Sequence, residues 1–238
     1  MMTLMVVRLQ NGHLAENNML YLCDVLSEDD LKIVNSQFIP SKLKRMEAGT
    51  PLHKAKSEVV AQSQEYYKCL EVFQKSVRDR GEFNTVYLFK DISPPLFSRY
   101  ETGDFYDRHI DELLIGGIRT DHSITVFLND PDEYEGGELL VHMGDHVCKI
   151  KGEAGQAFIY PTGALHEVKP VTKGHRDVAL LWATSVVDEP SLRYDLIALA
   201  KTITGLCEAN KGDQKYLEKH VYPLEQVKNN ILRGYGNL

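Results

Sequence analysis

Between Phe83 and Val187 apolar residues recur at every second position, in short runs separated by Asn, Asp, Gly and Pro: FNTVYLFKDIS, PLFSRYETGDFYDRHID, HSITVFLND, GELLVHM, VCKIKG, GQAFIYP, HEVKPV and RDVALLWATSVV. Successive side chains of a strand point to opposite faces, so this period belongs to strands and not to helices. Many short strands with turn residues between them predict a sandwich or barrel in place of alternating βαβ units.

On both flanks the period becomes helical. Leu4 to Leu9 reads as an edge strand closed by an Asn11-Gly12 turn. Ser27 is placed to cap a helix that opens with Glu28, Asp29 and Asp30, carries Leu31, Val34 and Phe38, and stops before Pro40. Val59, Tyr66, Leu70, Phe73 and Val77 predict a long amphipathic helix from Ser57 to about Arg80, ended by Gly81, with Tyr66 and Tyr67 as core packing. After Val187, with Asp188 or Ser191 as cap, Leu192, Leu196, Leu199 and Ile203 mark another helix, and a last one runs from about Asp213 to Leu232. No repeat or linker divides the chain. The expectation is one structural domain: residues 1–82 as a helical support region, 83–187 as the β core and 188–238 as a helical extension, an α+β chain with a mainly β core.

With 34 acidic and 27 basic residues the net charge is -7, and no basic stripe follows a strand or helix, which argues against a nucleic-acid partner. Cys23, Cys69, Cys148 and Cys207 are scattered and form no CxxC pair, so free thiols in a reducing compartment are expected and not a disulfide framework or a thiolate zinc site. MMTLMVVRL is too short to span a bilayer and has no basic leader. These features predict a soluble, cytoplasmic protein without a membrane partner.

The chemistry centres on Arg99 to Asp111, RYETGDFYDRHID, which ends in His109-x-Asp111. Residues two apart on a strand share a face, so an imidazole and a carboxylate here reach one ion, two thirds of a facial triad with open positions. His166, after the turn-rich Tyr160-Pro-Thr-Gly-Ala-Leu165, supplies the third ligand if its strand lies beside that of His109. Ten residues later Arg176 is placed to grip a carboxylate bidentately, with Val178, Leu180 and Trp182 on the same strand face as an apolar wall. A metal beside an arginine suits a chelating 2-oxo acid. Either Ser123, Thr125 and Phe127 or Ile124, Val126 and Leu128 line the pocket, since the two sets face opposite ways. His142, Asp145 and His146 form a rival cluster in HMGDH, but Gly144 predicts a hairpin turn there. Gly136-Gly137 reads as a tight turn, and Leu113 to Thr120, with two glycines, as a mobile lid.

These residues, in this order and spacing, resemble the Fe(II)/2-oxoglutarate dioxygenases of the prolyl/lysyl hydroxylase branch. The resemblance rests on Arg99-Tyr100, the Gly103 turn, His109-x-Asp111, Tyr134-Glu-Gly136-Gly137-Glu138-Leu, Tyr160-Pro161 before His166, and Gly174-x-Arg176. It spans roughly Thr85 to Val187 and is densest against PKHD-type hydroxylases. It implies a double-stranded β-helix (jelly-roll) core, Fe(II) on His109, Asp111 and His166, and 2-oxoglutarate on Arg176, with Tyr100 as a hydrogen-bond partner of the cosubstrate; Thr125 and Trp182, from their strand positions, are expected as further cosubstrate contacts. It also implies O2 as co-reactant, L-ascorbate as reductant, and hydroxylation of a prolyl residue in a peptide or protein. The alternatives are a free amino acid or small metabolite as substrate, or a cupin-like metal protein that is not an oxygenase.

Overall fold

The structure, a computed structural model, describes residues 3–6, 19–36, 43–46, 54–59, 63–78 and 80–236. In chain order the first part contains β1 (Thr3–Val6), β2 (Tyr21–Asp24), α1 (Glu28–Asn35), β3 (Leu43–Met46), β4 (Lys54–Val59), α2 (Gln64–Phe73) and α3 (Gly81–Thr85). The β core follows with β5 (Phe89–Ile92), β6 (Leu96–Glu101), β7 (Phe105–His109), β8 (Leu114–Ile115), β9 (Ile118–Arg119), β10 (His122–Phe127), β11 (Glu135–Gly136) and β12 (Leu139–Met143). It continues through β13 (His146–Ile150), β14 (Gln156–Pro161), β15 (Leu165–Val168), β16 (Val171–Lys173) and β17 (His175–Ser185). Helices α4 (Pro190–Ala209), α5 (Gln214–Tyr216) and α6 (Tyr222–Tyr235) close the described chain.

Alternating segments become a curled, largely antiparallel sheet in the order β1-β13-β12-β15-β7-β4-β6-β17-β10-β14-β2, with β3 on β4 and β5 on β17. The fold is a double-stranded β-helix with helices against one side. Strand β4 pairs with both β6 and β7 and so joins the two halves of the sheet. Two apolar clusters result. One lies between sheet and helices and contains Phe73, Phe83, Phe97, Ile124, Val126 and Leu128. The other lies inside the curl and contains Tyr100, Phe127, Leu139, Phe158, Tyr160 and Val178.

The local signals account for much of the helical framework. Ser27 forms a capping box, its Oγ accepting from Asp30 N and its backbone N–H donating to the Asp30 carboxylate, and α1 begins there. The expected Asn11-Gly12 turn, Phe38 and Pro40 lie outside the described residues. The helix expected from Ser57 instead begins at Gln64, where Ser63 Oγ accepts from Tyr66 N at 3.1 Å. Ser57 belongs to β4, held by β3 on one side and β6 on the other, so sheet pairing overrides the helical spacing of Val59. Gly81 does not end a helix: α2 runs into a π-helical turn at Gln74–Arg78, and Gly81 opens α3, which takes Phe83 out of the strand pattern and buries it in the core. Tyr66 packs edge-on against Phe97 at 6.1 Å, whereas Tyr67 is exposed. Helix α4 is capped by Glu189, which accepts from Ser191 N and Leu192 N, and not by Asp188 or Ser191. Asp213 caps the short helix at 214, as its place in the sequence suggests.

Candidate active site

Strands β7 and β15 are neighbours, with His109 opposite His166. Asp111 follows two residues after His109, just past the end of β7. The ligating atoms of His109, Asp111 and His166 lie within 4.8 Å of one another, with Asp111 Oδ1 3.6 Å from His109 Nε2 and 3.7 Å from His166 Nε2. Each imidazole is oriented by its own backbone: His109 Nδ1 lies 2.7 Å from Asp107 O, and His166 Nδ1 lies 3.0 Å from Ala164 O. A carbonyl oxygen only accepts, so both Nδ1 atoms carry the proton and both Nε2 lone pairs point at the shared space. Burial lowers the His166 pKa, keeping the ring neutral and fit to ligate. Tyr106 stacks on His109 at 3.7 Å, and Tyr160 meets His166 edge-on at 5.1 Å.

The second carboxylate oxygen of Asp111 is held from β10 and β17. Ser123 Oγ donates to Oδ2 at 2.7 Å and Trp182 Nε1 donates to it at 2.8 Å, which leaves Oδ1 turned toward the imidazoles. Burial pushes this carboxyl up, but the Trp182 and Ser123 donors and the two adjoining imidazoles outweigh it and hold the pKa at about 2. Two imidazole nitrogens and one carboxylate oxygen, each fixed through its other polar atom, suit a divalent transition metal with positions left open.

Arg176 sits on β17 opposite Tyr100 of β6, with only 1% of its surface exposed. Its guanidinium carbon lies 5.2 Å from the Tyr100 ring and 5.7 Å from the Phe127 ring. Its Nε and Nη1 are buried without a hydrogen-bond partner. The strand around it is pinned: Asn129 Nδ2 donates to His175 O at 2.9 Å, Asn129 Oδ1 accepts from Asp177 N at 2.9 Å, and Arg99 grips Asp177 with Nε at 2.8 Å and Nη2 at 2.7 Å. A buried cation with idle donors is costly unless an anion completes it, so this arrangement fits a carboxylate ligand.

One cavity of about 220 Å³ joins the two parts, lined by the three candidate ligands and by Arg176, Tyr100, Thr125, Tyr160 and Trp182. Ser123, Ile124 and Thr125 all border it, but Ile124 packs with Val126 and Leu128 in the core cluster against the helices, which leaves the face of Ser123 and Thr125 as the polar wall. Leu180 lines the cavity as well, and Val178 is packed in the inner cluster. The rival His142-Asp145-His146 cluster is the β12–β13 hairpin, with Gly144 at φ +61° and Met143 opposite His146. His142 Nε2 contacts Glu167 Oε1 at 3.3 Å. Leu113 to Thr120 forms the β8–β9 hairpin across Gly116-Gly117, tied down by Thr120 Oγ1 donating to Glu112 O at 2.6 Å and by Arg119 paired with Asp121 and Asp188. Sequence reasoning gave no role to Tyr106 or Asn129, placed Ser123 only on one of two alternative pocket faces without its bond to Asp111, and knew Tyr160 only through the Tyr-Pro before His166.

A double-stranded β-helix holding two imidazoles, a carboxylate and a buried arginine in one cavity defines a class of oxygenase. Residues 95–184 match the model of the 2OG-Fe(II) oxygenase superfamily. A PKHD-type hydroxylase of Klebsiella pneumoniae is 32% identical over 229 residues, 91% of this chain and 98% of that one. Another, from Alteromonas mediterranea, is 35% identical over 153 residues, 62% of this chain and 66% of the relative's length. A prolyl hydroxylase of Trichoplax adhaerens superposes with a TM-score of 0.53 at 16% identity, over 75% of this chain and 87% of that one. The chain belongs to the 2OG-Fe(II) oxygenase superfamily and to its PKHD-type hydroxylases.

Proposed function

We propose that the chain hydroxylates a prolyl residue within a peptide or protein, using Fe(II) on His109, Asp111 and His166 and 2-oxoglutarate on Arg176. The observation that carries this reading is the single cavity in which two Nε2 atoms and Oδ1 converge and which Arg176, with its idle donors, also lines. When bound, Fe(II) and 2-oxoglutarate supply the redox chemistry: 2-oxoglutarate, O2 and a C–H bond give succinate, CO2 and an alcohol, one oxygen atom entering each of succinate and product.

The chain's own contribution is placement. Ser123 and Trp182 hold Asp111 so that one carboxylate oxygen faces the metal position. Asp107 O and Ala164 O fix the imidazole tautomers. Arg176, buried among Tyr100 and Phe127, supplies charge for the far carboxylate, and the cavity wall limits water. Tyr100, Thr125 and Trp182 stand on the cavity wall where they reach the cosubstrate.

A peptide substrate fits the mouth. Ile110, just before the candidate metal carboxylate, and Leu113 and Leu114, just after it, are exposed apolar side chains, and Ile110, Glu112 and Ile115 line the cavity. Such a lip suits an extended segment laid across the opening. The Trichoplax prolyl hydroxylase is described in complex with a hypoxia inducible factor oxygen degradation domain peptide. Ascorbate as reductant and a cytoplasmic setting complete the reading. The latter fits the free thiols of Cys23, Cys69, Cys148 and Cys207, and no helix among the described residues is long and apolar enough to cross a membrane.

The test is anaerobic addition of Fe(II) and then 2-oxoglutarate, read as the visible charge-transfer band of a chelated 2-oxo acid. The band is expected in the wild type, absent in Asp111→Ala and weakened in Arg176→Ala. Fe(II) binding without the band would move the chain to a non-oxygenase metal role. Peptide and metabolite libraries then read the substrate as a gain of one oxygen mass, and hydroxylation of free proline with none of any prolyl peptide would refute the peptide assignment.

A further inference from the structure

Three buried polar atoms at or beside the cavity have no hydrogen-bond partner: Arg176 Nε, Arg176 Nη1 and the hydroxyl of Tyr134. They come from one neighbourhood. A Cβ placed on Gly137 would lie 3.1 Å from Tyr134 Cε2 and 3.2 Å from Arg176 Cδ, so the two side chains converge over the bare face of that glycine. Gly174, two residues before Arg176, is the second bare spot: a Cβ there would meet Glu133 O at 2.6 Å and Tyr134 Cα at 3.2 Å. Both glycines have positive φ, and both let the Tyr134 loop lie against the strand that carries Arg176. Burial raises the Tyr134 pKa while the adjacent Arg176 charge and hydrogen-bonding opportunity oppose the rise, so the phenol stays protonated beside the guanidinium.

Tyr134 is itself clamped. Lys151 Nζ lies 3.8 Å over its ring and donates to its carbonyl oxygen at 2.7 Å. Among the cavity-lining residues are Arg176 and Tyr100, but not Tyr134. Tyr134 therefore meets Arg176 from outside the cavity lining. A guanidinium has only donors, and the phenol oxygen is an acceptor in the right place.

We propose that Tyr134, braced by Lys151, is a positioning residue for Arg176, setting its guanidinium to receive the distal carboxylate of a 2-oxo diacid. The inference rests on the reading of Arg176 as that carboxylate's partner. It gives the Tyr134-Glu-Gly136-Gly137 turn a task in recognition beyond tight backbone geometry: the turn selects for a second carboxylate on the cosubstrate.

Trp182 is the only tryptophan of the chain and lines the cavity, so its fluorescence reports binding without turnover. Wild type and Tyr134→Phe, both loaded with Zn(II), are titrated with 2-oxoglutarate and with 2-oxopentanoate, which has the same carbon chain but no distal carboxylate. Tyr134→Phe is expected to weaken 2-oxoglutarate about tenfold, the scale of one hydrogen bond to a charged group. Binding of 2-oxopentanoate should stay unchanged. Lys151→Met should show the same ligand-selective loss, smaller in size, and thermal melts confirm that both variants fold. Equal weakening of both acids, or none of either, overturns the proposal. Arg176→Met separates the two levels: if it abolishes the preference for the diacid while Tyr134→Phe leaves that preference intact, the role of Tyr134 falls and that of Arg176 stands. If Arg176→Met keeps the preference, the reading of Arg176 falls and the proposal with it.

Discussion

Strand β10 is buried along both faces, yet the two faces meet opposite conditions. Ile124, Val126 and Leu128 enter a filled core in which Phe73 meets Phe97 edge-on at 5.2 Å and Phe83 meets Phe89 at 5.5 Å. Ser123 and Thr125 face a cavity with Arg176 donors left idle. One side is packed to stabilise; the other keeps polar groups desolvated and unsatisfied, at about 1–3 kcal/mol each. The helix side thus holds a shape that the cavity side, taken alone, would collapse or flood.

That contrast is open to attack from both sides. The largest effect is expected for Asp111→Ala: turnover falls on the order of a thousandfold or more while the melting temperature hardly moves, since a ligand and not a packing group is lost. A large drop in melting temperature would mean that the cavity side also supports the fold. Conversely Phe73→Ala should cost about 3–5 kcal/mol in denaturant unfolding and leave cosubstrate affinity of the folded fraction unchanged. Arg176→Met should weaken 2-oxoglutarate about a hundredfold in calorimetry, yet hold or raise stability, because a buried charge with idle donors is replaced by an apolar chain. A loss of stability there would show that Arg176 is satisfied before ligand arrives. Trp182→Phe removes one of two donors to Asp111 Oδ2 and should lower metal affinity about tenfold by competition with a chelator.

The mildest test uses an orphan on the filled side. His122 is buried with Nδ1 unpartnered, near Phe89 and Tyr194, and burial together with the Arg193 charge lowers its pKa from 6.5 to about 3. The unfolded chain takes up that proton near 6.5 and the folded one only near 3. The contribution is therefore full above pH 6.5 and shrinks as pH falls through this window, by about 1.4 kcal/mol per unit. In urea titrations His122→Phe should flatten that slope.

The candidate site was legible where its residues are bound by local rules. His109-x-Asp111 is visible because two residues of separation let both reach one point, even though Asp111 lies just past β7, and Ser27 because a capping box is contained in four residues. What escaped depends on partners far away. Ser123 and Trp182 meet on Asp111 only after β10 and β17 pair, and Asn129 brackets Arg176 across 46 and 48 residues. The same holds for β4: Lys54–Val59 is a strand because β3, β6 and β7 offer it hydrogen bonds, which no spacing of Val59 and Tyr66 reveals. Gly81 misled because the chain needs a fresh helical turn there to seat Phe83 in the core.

The pairing of β2 with β14 sets a timetable. Asp24 lies opposite Gln156, 132 residues later, and their side chains share a hydrogen bond of 3.1 Å. A chain lengthening from its N-terminal end carries Tyr21–Asp24 without its partner strand until more than half of the sequence has followed. Loop closure over such a span is slow, so this edge of the sheet is sealed late in folding. A nascent chain arrested before Gln156 would leave Leu22 and Cys23 on an open strand, the kind of edge on which copies of a protein adhere to one another.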